Sequence, residues 1–180
     1  MNILTRIGLI SDTHNYLDQA IFEHFKNCDE IWHAGDFGTI EIAEQLSRCP
    51  ATSSGKIPIP KGGKKTIIRG VYGNIDGYNI RSVFPEQIIF FCEEVKVMMR
   101  HIGGYPPRYN PETKKELLIH HPDLFISGHS HILKVIFDEK LNCLHMNPGA
   151  AGKQGWQKIR TVFRFAIHEK DIKDCEVIEL

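Results

Sequence analysis

The strongest constraint on the fold is a pattern that occurs twice, in which an apolar run leads directly into two potential metal ligands spaced two residues apart. The pattern occurs at residues 7–14, which end with Asp12 and His14, and at residues 124–131, which end with His129 and His131. In an extended chain, residues two apart point to the same side, so each pair can face one point in space. Gly128 would permit a backbone turn between the run and its ligands. Two such strand ends, far apart in sequence, predict one metal centre that the fold assembles.

Three further polar residues follow apolar runs in the same way: Asp36, Asn74 and His101. Open α/β sheets build their sites from the loops at the carboxyl ends of strands, so five matching segments favour a metal site over coincidence. The ligands are imidazole nitrogens and carboxylate or amide oxygens, which suit Mn, Fe, Zn, Co or Ni better than Ca or Mg. Seven ligands are too many for one ion with an open position, but they fit two ions if one carboxylate bridges them.

Strand, loop, helix and strand alternate through the first 74 residues, which predicts parallel strands with helical crossovers. A first helix is expected over residues 17–27. The second half is rich in strands, with a helix over residues 112–120, and residues 147–149 (Asn-Pro-Gly) predict a tight turn. Residues 50–65, rich in Pro, Gly and Lys, predict a surface loop. We therefore expect two packed sheets with helices outside, in a single domain over residues 1–180.

Composition excludes several classes of protein. A chain of 180 residues suits one domain with a sizeable core. Lys plus Arg equals Asp plus Glu at 22 each, and this balance argues against nucleic acid or an anionic membrane as the partner.

No segment approaches the roughly 20 apolar residues of a membrane helix, and the N-terminus lacks the features of a signal peptide, so we expect a cytoplasmic protein. The five cysteines form no CxxC pair, which favours reduced thiols.

The ordered set Asp12-x-His14, Gly35-Asp36, Gly73-Asn74, His101 and Gly128-His129-x-His131 resembles the calcineurin-like metallophosphoesterase superfamily. The short chain and its Asn-Pro-Gly segment look like the small YfcE-type phosphodiesterases of that superfamily. The resemblance implies an α/β (α+β) fold, a four-layer αββα sandwich of two mixed β-sheets flanked by helices. It also implies metal-dependent hydrolysis of a phosphoester, above all a phosphodiester, by a hydroxide that bridges two metal ions.

Position by position, the resemblance assigns each ligand to an ion. The first ion would be bound by Asp12, His14 and His131, the second by Asn74, His101 and His129, and both by Asp36. The implied cofactor is two divalent transition-metal ions, with Mn favoured and Fe, Zn, Ni or Co as alternatives. Asp36, Asn74 and His101 are the expected catalytic residues, and the Asn74 amide group is also expected to meet a phosphate oxygen.

This sequence departs from the family pattern at three places. Many relatives have a histidine directly after Gly-Asn, where this chain has Ile75. General acid catalysis is typically worth about 10²–10⁴-fold in rate, so we predict slow turnover of substrates with poor leaving groups. Ile102 follows His101 where relatives often show His-Gly-His, and Ala150 stands where serine is common after Asn-Pro-Gly.

Arg108 lies in a segment rich in Gly, Pro and Tyr that follows His101. It could bind a substrate phosphate with two hydrogen bonds, or it could be a solvated surface residue. His33 is expected to support the site from the core rather than to bind metal. Asp76 could hold Asn74 or a ligand imidazole in place, or it could simply form a turn with Gly77.

The expected partner is a small phosphoester substrate, with no membrane, and self-association stays open. A rival interpretation is a protein-binding scaffold that has kept the fold, for which the phosphoesterase-like subunit of retromer is the precedent in the superfamily. A third interpretation is a nuclease, which would need a basic groove that the balanced charge does not favour.

Overall fold

The computed structural model describes residues 4–49 and 66–180, so the predicted loop over residues 50–65 lies outside the described residues. Within that part of the chain there are twelve strands and four helices. The strands are β1 (Thr5–Ile10), β2 (Glu30–His33), β3 (Ile67–Gly70), β4 (Gln87–Cys92), β5 (Val95–Arg100), β6 (Gly104–Tyr105), β7 (Arg108–Tyr109), β8 (Leu124–Ile126), β9 (Leu133–Asp138), β10 (Cys143–Pro148), β11 (Thr161–His168) and β12 (Asp171–Glu179). The helices are α1 (Ala20–His24), α2 (Ile40–Ser47), α3 (Tyr78–Arg81) and α4 (Pro111–His120).

The first sheet has the strand order β12-β11-β1-β2-β3. Its strands β1, β2 and β3 are parallel, while β11 and β12 are antiparallel to their neighbours. Residues Ile7 to Ile10 of β1 are all buried. A continuous buried run of this kind is what a parallel strand covered on both faces requires.

The second sheet has the strand order β4-β5-β8-β10-β9. Here β5, β8 and β10 are parallel, and β4 and β9 pair antiparallel at the two edges. Both sheets are therefore mixed. In each sheet, the parallel strands supply the carboxyl ends that lead into the predicted ligand loops.

Three apolar clusters separate the layers. One cluster, which includes Trp32, Val97 and Phe165, lies between the two sheets. A second packs α1 and α2 on the outside of the first sheet, and a third packs Leu117 of α4 against Phe125 of the second sheet. Each large side chain buried in this way contributes about 1.5–3 kcal/mol. The resulting order is helix, sheet, sheet, helix, so the predicted sandwich of two mixed sheets is confirmed.

Some local predictions were wrong. Helix α1 covers only Ala20–His24, and the short helix α3 was not predicted. The predicted turn at residues 147–149 begins too early, because Pro148 is the last residue of β10 and pairs with Leu133. A proline is tolerated there because it removes a donor only at the end of the strand. None of the helices in the described ranges is long and apolar enough to cross a membrane.

Candidate metal centre

The loops that follow five parallel strands meet at one edge of the sandwich. Main-chain hydrogen bonds join these loops to each other. Asp12 N donates to Gly35 O at 2.9 Å, and Gly128 N donates to His101 O at 3.1 Å. As a result, the structure brings together all seven predicted ligands, which follow β1, β2, β3, β5 and β8.

The ligands form two groups, which we call the first and the second sub-site. The first sub-site is Asp12, His14 and His131, and the second is Asp36, His101 and His129. Within each sub-site, one ligand atom from every residue lies within 4.8 Å of the others. Asn74 adjoins the second sub-site, with its Oδ1 3.1 Å from His101 Nε2.

Asp36 lies between the two sub-sites. Its Oδ2 is 3.2 Å from His101 Nε2 and 3.7 Å from His14 Nε2, while its Oδ1 accepts a hydrogen bond from Ile75 N at 3.0 Å. One carboxylate oxygen therefore faces an imidazole nitrogen from each sub-site. This is the position that a bridging ligand would need.

Asp12 provides a test of whether a cation fits. Its Oδ2 accepts from Ser11 Oγ at 2.6 Å and from His129 N at 3.1 Å. Its Oδ1 is buried and has no hydrogen-bond partner among the described residues, yet it lies 3.2 Å from His131 Nε2. Leaving a buried carboxylate oxygen without a donor is costly. The unpaired oxygen and the mixture of nitrogen and oxygen donors fit a divalent transition-metal ion.

Hydrogen bonds on the outer side of two ligand rings set their orientation. His101 Nδ1 lies 2.7 Å from Ala34 O, and His131 Nδ1 lies 2.9 Å from Gln157 Oε1. A carbonyl oxygen only accepts, so each Nδ1 is the donor. Each Nε2 then keeps its lone pair for the interior of the site, where a metal ion would take it up.

The electrostatics of the site reflect crowded acids and imidazoles. Burial lowers the pKa of His101, but the Asp36 carboxylate, which accepts from the ring, and the charges of Asp12 and Asp36 outweigh burial, and the pKa is raised. The adjacent Asp12 carboxylate raises the pKa of His131. Burial, together with the nearby His101, lowers the pKa of His129. The two carboxylates therefore attract positive charge to both sub-sites.

Left-handed backbone conformations, rather than extended chain, aim the ligands. β1 ends at Ile10 and β8 ends at Ile126, before the ligand pairs begin. Positive φ angles between 46° and 66° occur at six residues of these loops: Asp12, His14, Asn15, Asp36, His129 and His131. The expectation that each pair lies in extended chain was therefore wrong. Each such non-glycine residue costs roughly 1–2 kcal/mol, a strain that concentrates at functional sites.

Gly128 serves close packing rather than a turn. Its φ lies outside the left-handed region, so a residue with a Cβ would suffer no backbone strain there. A Cβ at this position would lie 2.2 Å from Ser11 Oγ and 2.8 Å from Ala34 O. The absence of a side chain lets the loop after β8 approach the loops after β1 and β2.

Asp76 holds two ligand loops together through main-chain groups. Its Oδ1 accepts from Gly38 N at 2.8 Å and its Oδ2 from Gly73 N at 2.7 Å. Arg81 Nε donates to the main-chain oxygen of Asp76 at 2.6 Å. Of the two alternatives, Asp76 therefore forms the turn, and it also ties the loop after β3 to the loop after β2.

His33 supports the site from the core, as predicted, and is not a ligand in either sub-site. Its Nδ1 accepts from Gly35 N at 3.2 Å, so its Nε2 donates to Thr13 Oγ1 at 3.1 Å. Burial lowers its pKa well below the ordinary value. Asn147, which the sequence indicated as part of a turn and a family motif but not as a residue of the site, donates from Nδ2 to Gly128 O at 2.8 Å and braces the loop after β8.

Arg108 lies exposed on β7, the second strand of a two-residue hairpin. Within the described ranges its guanidinium makes no hydrogen bond or ion pair with another residue, so its contact with a phosphate stays a prediction. The neighbouring tyrosines already have partners. Tyr109 donates to Asp138 Oδ2 at 2.9 Å, and Lys134 Nζ lies 3.9 Å from the centre of the Tyr105 ring.

Comparison with known families gives a match over nearly the whole chain. The model of the calcineurin-like phosphoesterase superfamily domain matches residues 5–170. A protein named as a probable metallophosphoesterase from Methanocaldococcus jannaschii is 32% identical over 151 residues, which cover 80% of this chain and 67% of that protein.

Solved structures with the same fold have low sequence identity to this chain. Vacuolar protein sorting 29 from Cryptosporidium parvum is 17% identical, with a TM-score of 0.71 over 99% of this chain and 98% of that one. A novel archaeal phosphodiesterase is 20% identical, with a TM-score of 0.69 over 98% of this chain and all of that one. At these identities the likeness establishes the fold alone.

Proposed function

The chain belongs to the calcineurin-like phosphoesterase superfamily, and from that premise we propose that it is a metal-dependent hydrolase of a phosphodiester. The single observation that carries the proposal is the pair of sub-sites with the Asp36 carboxylate between them. The expected cofactor is two divalent ions, with Mn²⁺ favoured. The expected substrate is a small phosphoester in the cytoplasm.

When bound, two divalent ions would activate a water molecule as the nucleophile and neutralise charge on the phosphate. The protein's own residues would hold the ions and orient the substrate. Asn74 is exposed, and its Oδ1 points to the second sub-site, so its NH₂ group, which has no partner among the described residues, could donate to a phosphate oxygen. Hydrogen bonds aimed at developing charge are a main source of catalysis.

The preference for an activated leaving group follows from Ile75. This side chain is 45% exposed and directly follows Asn74, at the position where many relatives carry a histidine. An aliphatic side chain donates no proton. We therefore expect hydrolysis to depend strongly on the pKa of the leaving alcohol.

A second candidate function is protein binding at the same face. Exposed apolar side chains follow two ligands directly: Ile75 after Asn74 and Ile102, 40% exposed, after His101. Tyr78, three residues after Ile75, is 83% exposed. Exposed apolar groups of this kind mark binding surfaces when they are contiguous. In a scaffold, they would contact a partner protein instead of surrounding a substrate.

Hydrolysis assays distinguish these functions. The purified chain would be chelated, reloaded with Mn²⁺ and assayed with bis-p-nitrophenyl phosphate and with p-nitrophenyl phosphate. We expect diester cleavage that requires metal and that Asp36→Asn abolishes. His168→Ala is the control. His168 ends β11 beside the start of β1, so it lies at the opposite end of the strands from the ligands.

The scaffold would be favoured by a different result. Bound metal with no cleavage of either compound would overturn the proposed hydrolase. Equal loss of activity in Asp36→Asn and His168→Ala would show that the assay reports folding rather than the metal centre.

A further inference from the structure

We propose that Gln157 is a positioning residue that orients His131 for the first sub-site. This inference rests on the proposed function, since it concerns a ligand of the same metal centre. Gln157 lies in the segment of residues 152–157, which we call the bracing loop and which follows β10. Its side chain is only partly exposed, and it spans the space between the loop and the His131 ring.

The hydrogen bonds of Gln157 determine which way its amide faces. Its Nε2 donates to Gly152 O at 3.1 Å and to Gln154 O at 2.7 Å. Both partners are main-chain carbonyl oxygens, which can only accept, so the NH₂ group must point at them. The amide oxygen of Gln157 is thereby turned toward His131, with Oε1 2.9 Å from Nδ1.

The orientation of the amide then determines the role of each nitrogen of His131. Because Gln157 presents an acceptor, His131 Nδ1 must carry the hydrogen. Its Nε2 is left to face Asp12 Oδ1 at 3.2 Å and His14 Nε2 at 3.4 Å, inside the first sub-site. A hydrogen bond on the outer nitrogen of a ligand imidazole sets its tautomer and increases its basicity, and its loss commonly costs about 10–100-fold in metal affinity.

The bracing loop is itself attached to the ligand loop after β1. Gly152 N donates to Asp12 O, and Ala151 N, directly before the loop, donates to Ser11 O, both at 3.0 Å. At Gly155 the packing is tight, because a Cβ there would lie 2.2 Å from His131 Nδ1. The loop is therefore held against two residues of the first sub-site, and Gln157 transmits that placement to the imidazole.

Metal titration tests the role of Gln157. Gln157→Met keeps the length of the side chain and removes both the acceptor and the donor. Isothermal titration of the metal-free protein with Zn²⁺ should show one binding step weakened about 10–100-fold. The other step, which belongs to the second sub-site, should be weakened less, because Gln157 bonds to no ligand of that sub-site and any effect on it must pass through the shared Asp36 carboxylate. Gln154→Met is the matched control, since its exposed side chain lies on the same loop and only its main-chain oxygen contacts Gln157.

A second variant separates orientation of His131 from support of the loop. Gln157→Glu keeps an acceptor for Nδ1 but cannot donate to Gly152 and Gln154. We expect its affinity for Zn²⁺ to stay closer to the wild type than to Gln157→Met. In the Zn²⁺-loaded wild type, NMR should also detect a slowly exchanging Nδ1 proton of His131 that is lost in Gln157→Met.

Each outcome has one meaning. If Gln157→Glu and Gln157→Met weakened Zn²⁺ binding equally, the positioning role would be overturned and Gln157 would be assigned to the support of the loop. Unchanged Zn²⁺ binding in Gln157→Met would also overturn it. If the wild type itself bound no Zn²⁺, the proposed metal centre would fail, and that result is distinct from either of the others.

Discussion

The two sub-sites contain similar ligands but hold them by different means. In the second sub-site, main-chain groups do this work: Ala34 O accepts from His101 and Ile75 N donates to Asp36. In the first sub-site, side chains share the task with the main chain: Ser11 Oγ and His129 N both donate to Asp12, and Gln157 Oε1 accepts from His131. Burial does not separate the two sub-sites, since buried Asp12 shares the first with the partly exposed His131, and buried Asp36 and His101 share the second with the exposed His129.

This difference predicts unequal tolerance of mutation. A main-chain carbonyl or amide at a given place persists whatever the side chain, so the second sub-site loses its geometry only when its ligands or its loops change. Two outer partners of the first sub-site, the side chains of Ser11 and Gln157, can each be deleted by one substitution. We therefore expect the affinity of the first sub-site for metal to be the easier of the two to tune.

Removal of one ligand from each sub-site should give the largest effect. His101→Ala and His131→Ala should each lower bound metal from two ions to one per chain, measured by mass spectrometry of the metal content. Each should also slow diester hydrolysis on the order of 10³-fold, because a catalytic metal contributes several kcal/mol to transition-state stabilisation and about 1.4 kcal/mol corresponds to tenfold. Two ions retained in either variant would argue against that residue as a ligand.

Asp76→Ala should mainly destabilise the fold near the second sub-site. It removes the acceptor for two main-chain N–H groups, of Gly38 and Gly73, in a region where Asp76 is 3% exposed. Leaving such donors without partners should reduce the free energy of unfolding by about 2–4 kcal/mol, measured by urea denaturation of the metal-free chain. Asp76→Asn keeps one acceptor oxygen, so it should lose less stability than Asp76→Ala. An equal loss of stability in the two variants would show that hydrogen bonding is not the cause.

His145 offers a comparison outside the metal centre, and its effect depends on pH. Neither of its ring nitrogens has a hydrogen-bond partner among the described residues, and burial lowers its pKa from the ordinary 6.5 to about 4. At pH values between these two pKa values, the His145 imidazole binds a proton in the unfolded chain but not in the folded chain. The stability of the fold should therefore decrease as the pH falls through this range. The free energy of unfolding should fall by up to ~3 kcal/mol, because each unit of pKa shift corresponds to 1.36 kcal/mol.

Urea denaturation of the metal-free chain at pH 7 and at pH 4.5 measures this loss. His145→Leu should remove that part of the pH dependence. Because the chain is metal-free, loss of metal in acid does not contribute to the measurement. An identical pH dependence in wild type and His145→Leu would show that other groups control acid stability.

Ser11→Ala should give the smallest effect and act on the first sub-site. It removes the 2.6 Å hydrogen bond to Asp12 Oδ2 and leaves His129 N as the donor to that oxygen. We expect a loss of about 1–2 kcal/mol in the free energy of unfolding and a weakening of metal binding that is larger at the first sub-site than at the second. Equal weakening at both sub-sites in a titration would contradict the separation of the two halves.

The sequence was sufficient to predict the layers of the fold and the meeting of seven ligand-type residues. Ligands that follow buried apolar runs carry a local signal, and Asp12, Asp36 and His101 all do so. The left-handed turns that aim them were not foreseen, because positive φ at Asp or His depends on contacts from other loops. The short helix α3 was missed since four residues carry too little periodicity.

The supporting residues were harder to predict than the ligands. Gln157 lies 26 residues from His131, and a lone glutamine after a Gly-rich segment has no pattern that indicates a metal ligand's partner. Asn147 and Ser11 are comparable, since each acts through contacts that only the packed sheets create. In the sequence, both are polar residues next to buried apolar runs. Many residues with a purely structural role share that feature, so it does not identify them.

The measurement that tests the two-ion centre most directly is the anomalous diffraction of crystals soaked in Mn²⁺. We expect two peaks about 3.5–4 Å apart, one among Asp12, His14 and His131 and the other among Asp36, His101 and His129. The Asp36 carboxylate should lie between the two peaks. A single peak, or peaks away from these residues, would contradict the proposed two-metal centre.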